Sequence, residues 1–147
     1  MAGYSGTPLP KKLGIKEGSR VALVGAPDRF AETLLEPLPA GATIGAPVPG
    51  STDVVVLFVA SMADLVERME QARAWITPAG GLWVAWPKKA SGIASDLGEN
   101  AVRDVGLGIG LVDNKVCAID ETWSGLRFVV RREDRRQDAL QRGRRQR

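Results

Sequence analysis

The hydrophobic pattern along the chain predicts alternating strands and helices. Residues 20–25, 53–60 and 81–86 form apolar runs that are followed by polar or turn-forming residues. The run at 53–60 is the strongest, and its continuity is typical of a strand buried on both faces, as in a parallel sheet covered by helices. A weaker run at 42–48 is interrupted by Gly45 and Pro47, so we expect it to lie at a sheet edge or to be irregular.

Three stretches, each of which follows one of these strands, carry apolar residues at helical spacing. The second should begin at Ser61, as the N-cap, and end at residues 78–81. The third should begin with a capping box of Asp96 and Glu99. The expected buried positions of the three helices are Phe30, Leu34, Leu35 and Leu38; Leu65, Met69, Ala72 and Ile76; and Leu97, Ala101, Val102 and Val105.

The last part of the chain changes pattern. Residues 116–119 and 126–130 form two apolar runs, and the connection between them is too short for a crossover helix, so they must pair as an antiparallel hairpin. The predicted fold class is α/β: a small Rossmann-like, mostly parallel sheet with a C-terminal antiparallel β-hairpin and helices on both faces. This order resembles a shortened class I methyltransferase sheet, and the resemblance concerns architecture alone.

The length of 147 residues suits one domain. Residues 1–19 are rich in Gly, Pro and Lys without a hydrophobic period, so we interpret them as an N-terminal arm, followed by a single α/β domain at 20–130. The N-terminus lacks the pattern of a signal peptide, and no apolar run approaches the roughly 18 residues of a membrane span. We therefore expect a cytoplasmic protein without membrane contact.

The net charge of +3 is unevenly distributed. Residues 131–147 contain eight arginines and three acidic residues, a charge of +5, which leaves −2 for the rest. We interpret 131–147 as a basic, disordered tail. Nucleic acid could bind there through phosphate neutralisation, although the tail has no aromatic residue for base stacking.

The chain has no His and a single Cys. These counts exclude most zinc, haem-His and Ser-His-Asp chemistry, so no metal is expected. Cys117 lies between Val116 and Ala118, where a thiol usually packs as a small apolar side chain. Any chemistry is left to lysines, carboxylates and hydroxyls.

The loop after the first strand does not favour a nucleotide or S-adenosylmethionine. Such sites need several glycines there and an acidic residue at the end of the second strand. Residues 25–28 contain one glycine and a rigid proline, and residues 46–48 contain no acid. We interpret Gly25 and Pro27 as a tight turn, and we expect no cofactor.

A second loop, at residues 86–92, follows a predicted central strand and precedes a helix, where open α/β sheets bind ligands. Its two ammonium groups and its hydroxyl would suit a phosphate or carboxylate, whereas the simpler interpretation is a solvated surface loop. The candidate ligand-binding residues are Gly25, Asp28, Trp86, Lys88, Lys89, Ser91, Asn114 and Lys115.

Four phrases of the sequence, at residues 4–15, 21–27, 81–92 and 112–128, resemble small bacterial proteins grouped as domain-of-unknown-function family 3052. The resemblance covers residues 4–130 and not the basic tail. It implies a family without an assigned activity, and therefore supplies no mechanism.

The missing acid-base groups favour a non-catalytic Rossmann-like module that binds a partner protein or a small anionic ligand. One alternative is a small transferase or hydrolase acting on an anionic substrate, in which Lys88 or Lys89 holds the substrate and Asp28 or Asp113 accepts a proton. The other is nucleic-acid association through the arginine-rich tail. The weak strand at 42–48 leaves a homodimer formed by edge pairing open.

Overall fold

The computed structural model describes residues 7–131, 133 and 134 of the chain. One sheet of six strands, in the order β2-β1-β3-β4-β6-β5, forms its centre. In chain order, the elements are α1 (Leu9–Lys12), β1 (Arg20–Val24), a π-helical turn (Ala31–Leu35), β2 (Thr43–Ile44), β3 (Thr52–Phe58), α2 (Met62–Trp75), β4 (Ile76–Pro87), a 3₁₀ turn (Lys89–Ser91), α3 (Glu99–Gly108), β5 (Leu111–Ala118) and β6 (Trp123–Val130).

The pairing of the strands confirms the predicted fold class. β1 pairs in parallel with β2 and β3, and β3 pairs in parallel with β4. β6 is antiparallel to both β4 and β5, so β5 and β6 form the predicted C-terminal hairpin. β2 is only two residues long and lies at the edge of the sheet, as the interrupting glycine and proline predicted.

Two hydrophobic cores lie on opposite faces of this sheet. On one face, α2 and α3 contribute Leu65, Met69 and Val102 to a core over the central strands. On the other face, α1 and the π-helical turn cover the same strands. Trp83 and Trp86 on β4 belong to different cores, because residues an odd number of positions apart on a strand point to opposite faces.

Residues 9–15, which precede β1, contribute to the second core. Leu9, Leu13 and Ile15 are all buried there. The indole Nε1 of Trp83, which is fully buried, donates a hydrogen bond of 3.0 Å to the backbone oxygen of Leu13. The interpretation of residues 1–19 as an arm missed this packing, because α1 has only four residues and so shows no repeating hydrophobic period.

The helices differ from prediction in their bounds. The first is only a π-helical turn, and Pro37 follows it, where a helix could not continue without losing a backbone hydrogen bond. The second is capped as predicted, since the Asp64 N–H donates to Ser61 Oγ at 3.1 Å. It ends at Trp75, however, and residues 78–81 lie within β4 rather than in a separate turn.

The predicted capping box at the third helix is wrong. Gly98 is the N-cap of α3, and its helix start receives no side-chain cap. The Asp96 carboxylate instead accepts a hydrogen bond of 2.8 Å from the backbone N–H of Met62, at the start of α2. Asp96 and Ser61 therefore both satisfy backbone donors at the N-terminus of the same helix.

Residues 132 and 135–147 lie outside the described residues, so the basic tail and nucleic-acid binding through it stay predictions. Among the helices that the structure describes, none combines the length and hydropathy needed to cross a bilayer.

Replacing Leu13 with Ala tests whether the N-terminal segment is part of the core. Its side chain is fully buried, so Leu13→Ala should lower the free energy of unfolding by about 2–5 kcal/mol in urea denaturation. The control is Val66→Ala, at a side chain that is 57% exposed on α2 and whose removal should change it by less than about 0.5 kcal/mol. Equal, small effects of both substitutions would show that the segment is peripheral.

The cap from Asp96 to α2 makes a separate prediction. Asp96→Ala should lower the free energy of unfolding by about 1 kcal/mol, because it leaves the Met62 N–H without its acceptor. Asp104→Ala, at an exposed acid on α3, is the control. A destabilisation no larger than that of the control would contradict the cap.

Candidate functional site

A pocket of about 360 Å³ lies where β1 ends and the β5–β6 hairpin turns. This position is the carboxyl edge of the parallel strands, where open α/β sheets bind ligands. We call it the carboxyl-edge pocket. Its lining residues are Pro27, Asp28, Arg29, Phe30, Thr33, Leu34, Ile93, Asp120, Thr122 and Trp123.

Three aromatic rings build the apolar part of this region. Phe58, the last residue of β3, contacts Phe30 edge to face with ring centroids 5.0 Å apart. It contacts Trp123 in the same way at 5.1 Å. Such edge-to-face pairs are favourable beyond their buried area, so Phe58 holds the two pocket-lining rings in fixed positions.

The hairpin turn places a carboxylate and an indole on the other wall. The Asp120 carboxylate accepts hydrogen bonds of 2.8 Å from the backbone N–H groups of Thr122 and Trp123. The Ile119 N–H donates to the Trp123 oxygen at 2.9 Å and closes the turn. Because the backbone is tied at these points, Asp120 and Trp123 enter the pocket from a rigid loop.

The loop after β1 supplies the opposite wall. Asp28 is exposed there, and Arg29 adopts a left-handed backbone conformation with φ of 62°, which is uncommon for a residue with a side chain. Arg29 Nε lies 3.9 Å from a carboxylate oxygen of Glu32 at the surface. The pocket thus combines two carboxylates, one guanidinium and aromatic faces.

Of the predicted site residues, Asp28 lines this pocket, and Gly25 shapes the same loop. Gly25 has φ of +72°, and a Cβ there would lie 3.0 Å from the backbone oxygen of Phe58. The glycine is therefore required for close packing of the loop against β3.

The predicted anion loop lies beside the pocket. The Lys88 N–H donates to the Thr122 oxygen at 2.8 Å, which joins the end of β4 to the hairpin turn. Lys89 is exposed, and the Ser91 hydroxyl accepts a hydrogen bond from the Ile93 N–H within its own turn. Trp86 is 6% exposed and belongs to the core under α2 and α3, so its indole is a packing group.

Asn114 and Lys115 do not join the other candidates. They lie in the middle of β5 rather than before it, since β5 begins at Leu111. Lys115 pairs with Arg127, which in turn pairs with Trp83, four residues before the end of β4. At a rise of about 3.3 Å per residue, the four residues from Trp83 to the end of β4 place Lys115 roughly 13 Å along the sheet from the loop after β4.

Sequence reasoning missed most of the pocket. Phe30 and Leu34 were interpreted as the buried side of a helix. Asp120 and Trp123, in the hairpin connection, were not among the candidate ligand-binding residues. The signal in the sequence that could have indicated this pocket was the presence of Asp120 and Trp123 in the hairpin turn, at the edge of the sheet where β1 ends.

Cys117 is partly buried against the second core, in agreement with its predicted packing role. Burial raises the pKa of its thiol, and the nearby charges of Lys12 and Lys115 only partly oppose this effect. A raised pKa keeps the thiol protonated and poorly nucleophilic. Among the described residues, no group of three or more His, Cys, Asp or Glu side chains could hold a metal ion.

A nucleoside cofactor would need a carboxylate that can accept hydrogen bonds from its ribose hydroxyls. β2 ends at Ile44 and is followed by Gly45 and Ala46, so no carboxylate stands at the usual ribose position. Asp28 and Asp120 supply two carboxylates at the pocket instead, next to aromatic faces on which a base could stack. The pocket therefore places hydrogen-bond acceptors beside aromatic faces, in an arrangement that the glycine and acid pattern did not reveal.

No protein-family model matches the sequence, and no curated protein is significantly similar to it. Solved structures of methyltransferases share the fold. One, assigned as a type 11 methyltransferase from Sulfolobus solfataricus, has a TM-score of 0.59 and 13% identity over 89% of this chain and 94% of its own.

Two further structures are similar at the same level. A SAM-dependent methyltransferase from Aquifex aeolicus has a TM-score of 0.55 and 14% identity, covering 82% of this chain and 87% of its own. The B. subtilis tRNA methyltransferase TrmK has a TM-score of 0.50 and 12% identity, covering 87% of this chain and 67% of its own. At these identities the likeness shows the fold.

The comparisons nevertheless correct the functional expectation. A non-catalytic module that binds a partner protein or a small anionic ligand was expected, chiefly because the chain lacks acid-base groups such as histidine. That expectation is wrong, because the structures that share this fold are methyltransferases, which are enzymes. The missing histidine was a poor guide, because an enzyme can accelerate a bimolecular reaction by positioning the two reactants without an acid-base group.

Proposed function

We propose that the protein is an S-adenosylmethionine-dependent methyltransferase that binds its cofactor in the carboxyl-edge pocket. The observation that carries the proposal is the joint placement of Asp28, Asp120 and Trp123 around one cavity, in a fold that is shared with solved methyltransferases. The cavity volume of about 360 Å³ lies within the range of small-molecule sites.

S-adenosylmethionine, when bound, supplies an electrophilic methyl group on a positively charged sulfur. The indole face of Trp123 attracts cations, and the carboxylates of Asp28 and Asp120 add negative charge to the same pocket. Carboxylates also accept hydrogen bonds from ribose hydroxyls and from an ammonium group. Arg29 is placed to pair with a carboxylate of the ligand.

The chain contributes positioning. Phe30, Leu34 and Ile93 provide apolar contacts around the pocket, and the ring of Phe58 packs edge to face against the ring of Phe30. Holding two reactants in a fixed geometry lowers the barrier of a bimolecular step without any acid-base group. Where an acceptor must lose a proton, Asp28 or Asp120 is within the pocket to receive it.

Two expectations remain part of this proposal. The cytoplasm, where S-adenosylmethionine-dependent enzymes have access to their cofactor, is the proposed location. Membership in domain-of-unknown-function family 3052 is proposed from the four sequence segments that resemble that family. If the chain is a member, the proposed activity extends to the family.

Calorimetric titration with S-adenosylmethionine tests the proposal. The wild-type chain should bind it, and Asp28→Asn should weaken binding at least tenfold, because a hydrogen bond to a charged group contributes about 1.5–3 kcal/mol. Asp120→Asn should act similarly, since an Asn side chain can still accept the turn's backbone hydrogen bonds but lacks the charge.

Glu121→Gln is the matched control, because Glu121 is an exposed acid of the same turn. It should leave the dissociation constant unchanged within twofold. Absence of binding to the wild-type chain would contradict the proposed cofactor. Equal losses from Glu121→Gln and Asp120→Asn would contradict the proposed pocket.

A further inference from the structure

A second cavity, of about 430 Å³, lies at the opposite end of the sheet, where β1, β3 and β4 begin. We call it the amino-edge groove. The loop between α1 and β1 forms one wall, and the first residues of β3 and β4 form the other. Its lining residues are Gly14, Lys16, Glu17, Gly18, Ser19, Asp53, Val54, Thr77, Ala79, Gly80 and Arg127.

A large bulge in a central strand shapes this groove. Thr52 pairs with Ile76 and Val54 with Gly81, so β3 advances two residues while β4 advances five. The three extra residues leave the regular ladder, and residues 77–80 border the groove. Bulges of this kind redirect side chains and backbone groups, and they are frequent beside functional sites.

Two consecutive glycines fit this bulge tightly. A Cβ at Gly80 would lie 2.8 Å from Thr77 Oγ1 and 2.9 Å from the backbone oxygen of Asp53. A Cβ at Gly81 would lie 2.5 Å from Arg127 Nε and 2.8 Å from its Cζ. The absence of both side chains therefore lets Thr77 and the guanidinium of Arg127 approach the β4 backbone, next to the groove.

Hydrogen bonds orient two of the four charged side chains of the groove, those of Arg127 and Asp53. Arg127 Nη1 donates to the side-chain oxygen of Asn114 at 3.3 Å, which orients the guanidinium. One carboxylate oxygen of Asp53 accepts from the Arg20 N–H at 2.8 Å. The Lys16 N–H donates to Ser19 Oγ at 2.9 Å and so fixes the loop that carries the lysine.

We infer that the amino-edge groove binds a small zwitterion of the amino-acid class. The groove carries two cations, Lys16 and Arg127, and two anions, Glu17 and Asp53. A guanidinium and an ammonium recognise a carboxylate, and carboxylates recognise an ammonium group, so a ligand with both charges pairs with the whole set.

Titration with L-glutamine, followed through the backbone amide shifts of the groove glycines, tests this inference. Glutamine should shift the amides of Gly14, Gly18 and Gly80, and leave those of Gly25 and Gly92 at the other end of the sheet unchanged. N-acetyl-L-glutamine lacks the ammonium group and L-glutamine amide lacks the carboxylate, and each should bind at least tenfold more weakly. Equal binding of either derivative would overturn the zwitterion.

Variants separate the groove from nonspecific effects. Arg127→Gln should weaken glutamine binding at least tenfold, and Lys16→Gln, which changes an exposed side chain and should not affect folding, should weaken it severalfold. Arg68→Gln, at an exposed arginine of α2, should have no effect. Unmoved glycine amides at saturating ligand, or equal effects of the Lys16 and Arg68 substitutions, would refute the groove as a site. S-adenosylmethionine binding at the carboxyl-edge pocket is measured independently, so either site can fail without the other.

Discussion

The two central strands, β3 and β4, must be covered on both faces, and the rest of the molecule follows from this requirement. Val55 and Leu57 face one core, whereas Val54 and Val56 face the other. Leaving either face in water would forfeit about 25 cal/mol for each square ångström of apolar surface. The sheet is therefore stable only when both of its faces are buried.

The two faces meet that condition differently. α2 and α3 cover one face with long helices, while the other depends on α1, the π-helical turn and the loop leading to β1. The buried indole of Trp83 needs an acceptor, and the Leu13 oxygen in this cover provides it. Because the second cover is built from short pieces, it leaves a cavity at each end, the carboxyl-edge pocket and the amino-edge groove.

The parts of the fold that could be predicted from sequence are those with long, repeated patterns. The run at 53–60 and the Ser61 cap led to β3 and α2 nearly as observed, and the short hairpin connection led to β5 and β6. α1 was not predicted, because four residues are too few to show a hydrophobic period. Asp96 was assigned to α3, the helix that follows it, although it caps α2, whose first residue lies 34 positions earlier in the chain. Such a contact depends on tertiary structure.

The site was less predictable for the same reason. Asp28 was a candidate because of its place after β1, and it lines the carboxyl-edge pocket. Trp123, which lies almost a hundred residues later in the chain, lines the same pocket and contacts Phe58. The glycine and acid pattern concerns the loop after β1 and the end of β2, whereas the two carboxylates at the pocket, Asp28 and Asp120, come from two turns.

A crystal structure of the chain grown with saturating S-adenosylmethionine would show where this ligand binds. The ligand should lie between Trp123 and the loop of Asp28, with a carboxylate of Asp28 or Asp120 within hydrogen-bonding distance of it. Density for the ligand beside Gly45 and Ala46 at the end of β2, with the carboxyl-edge pocket empty, would contradict it.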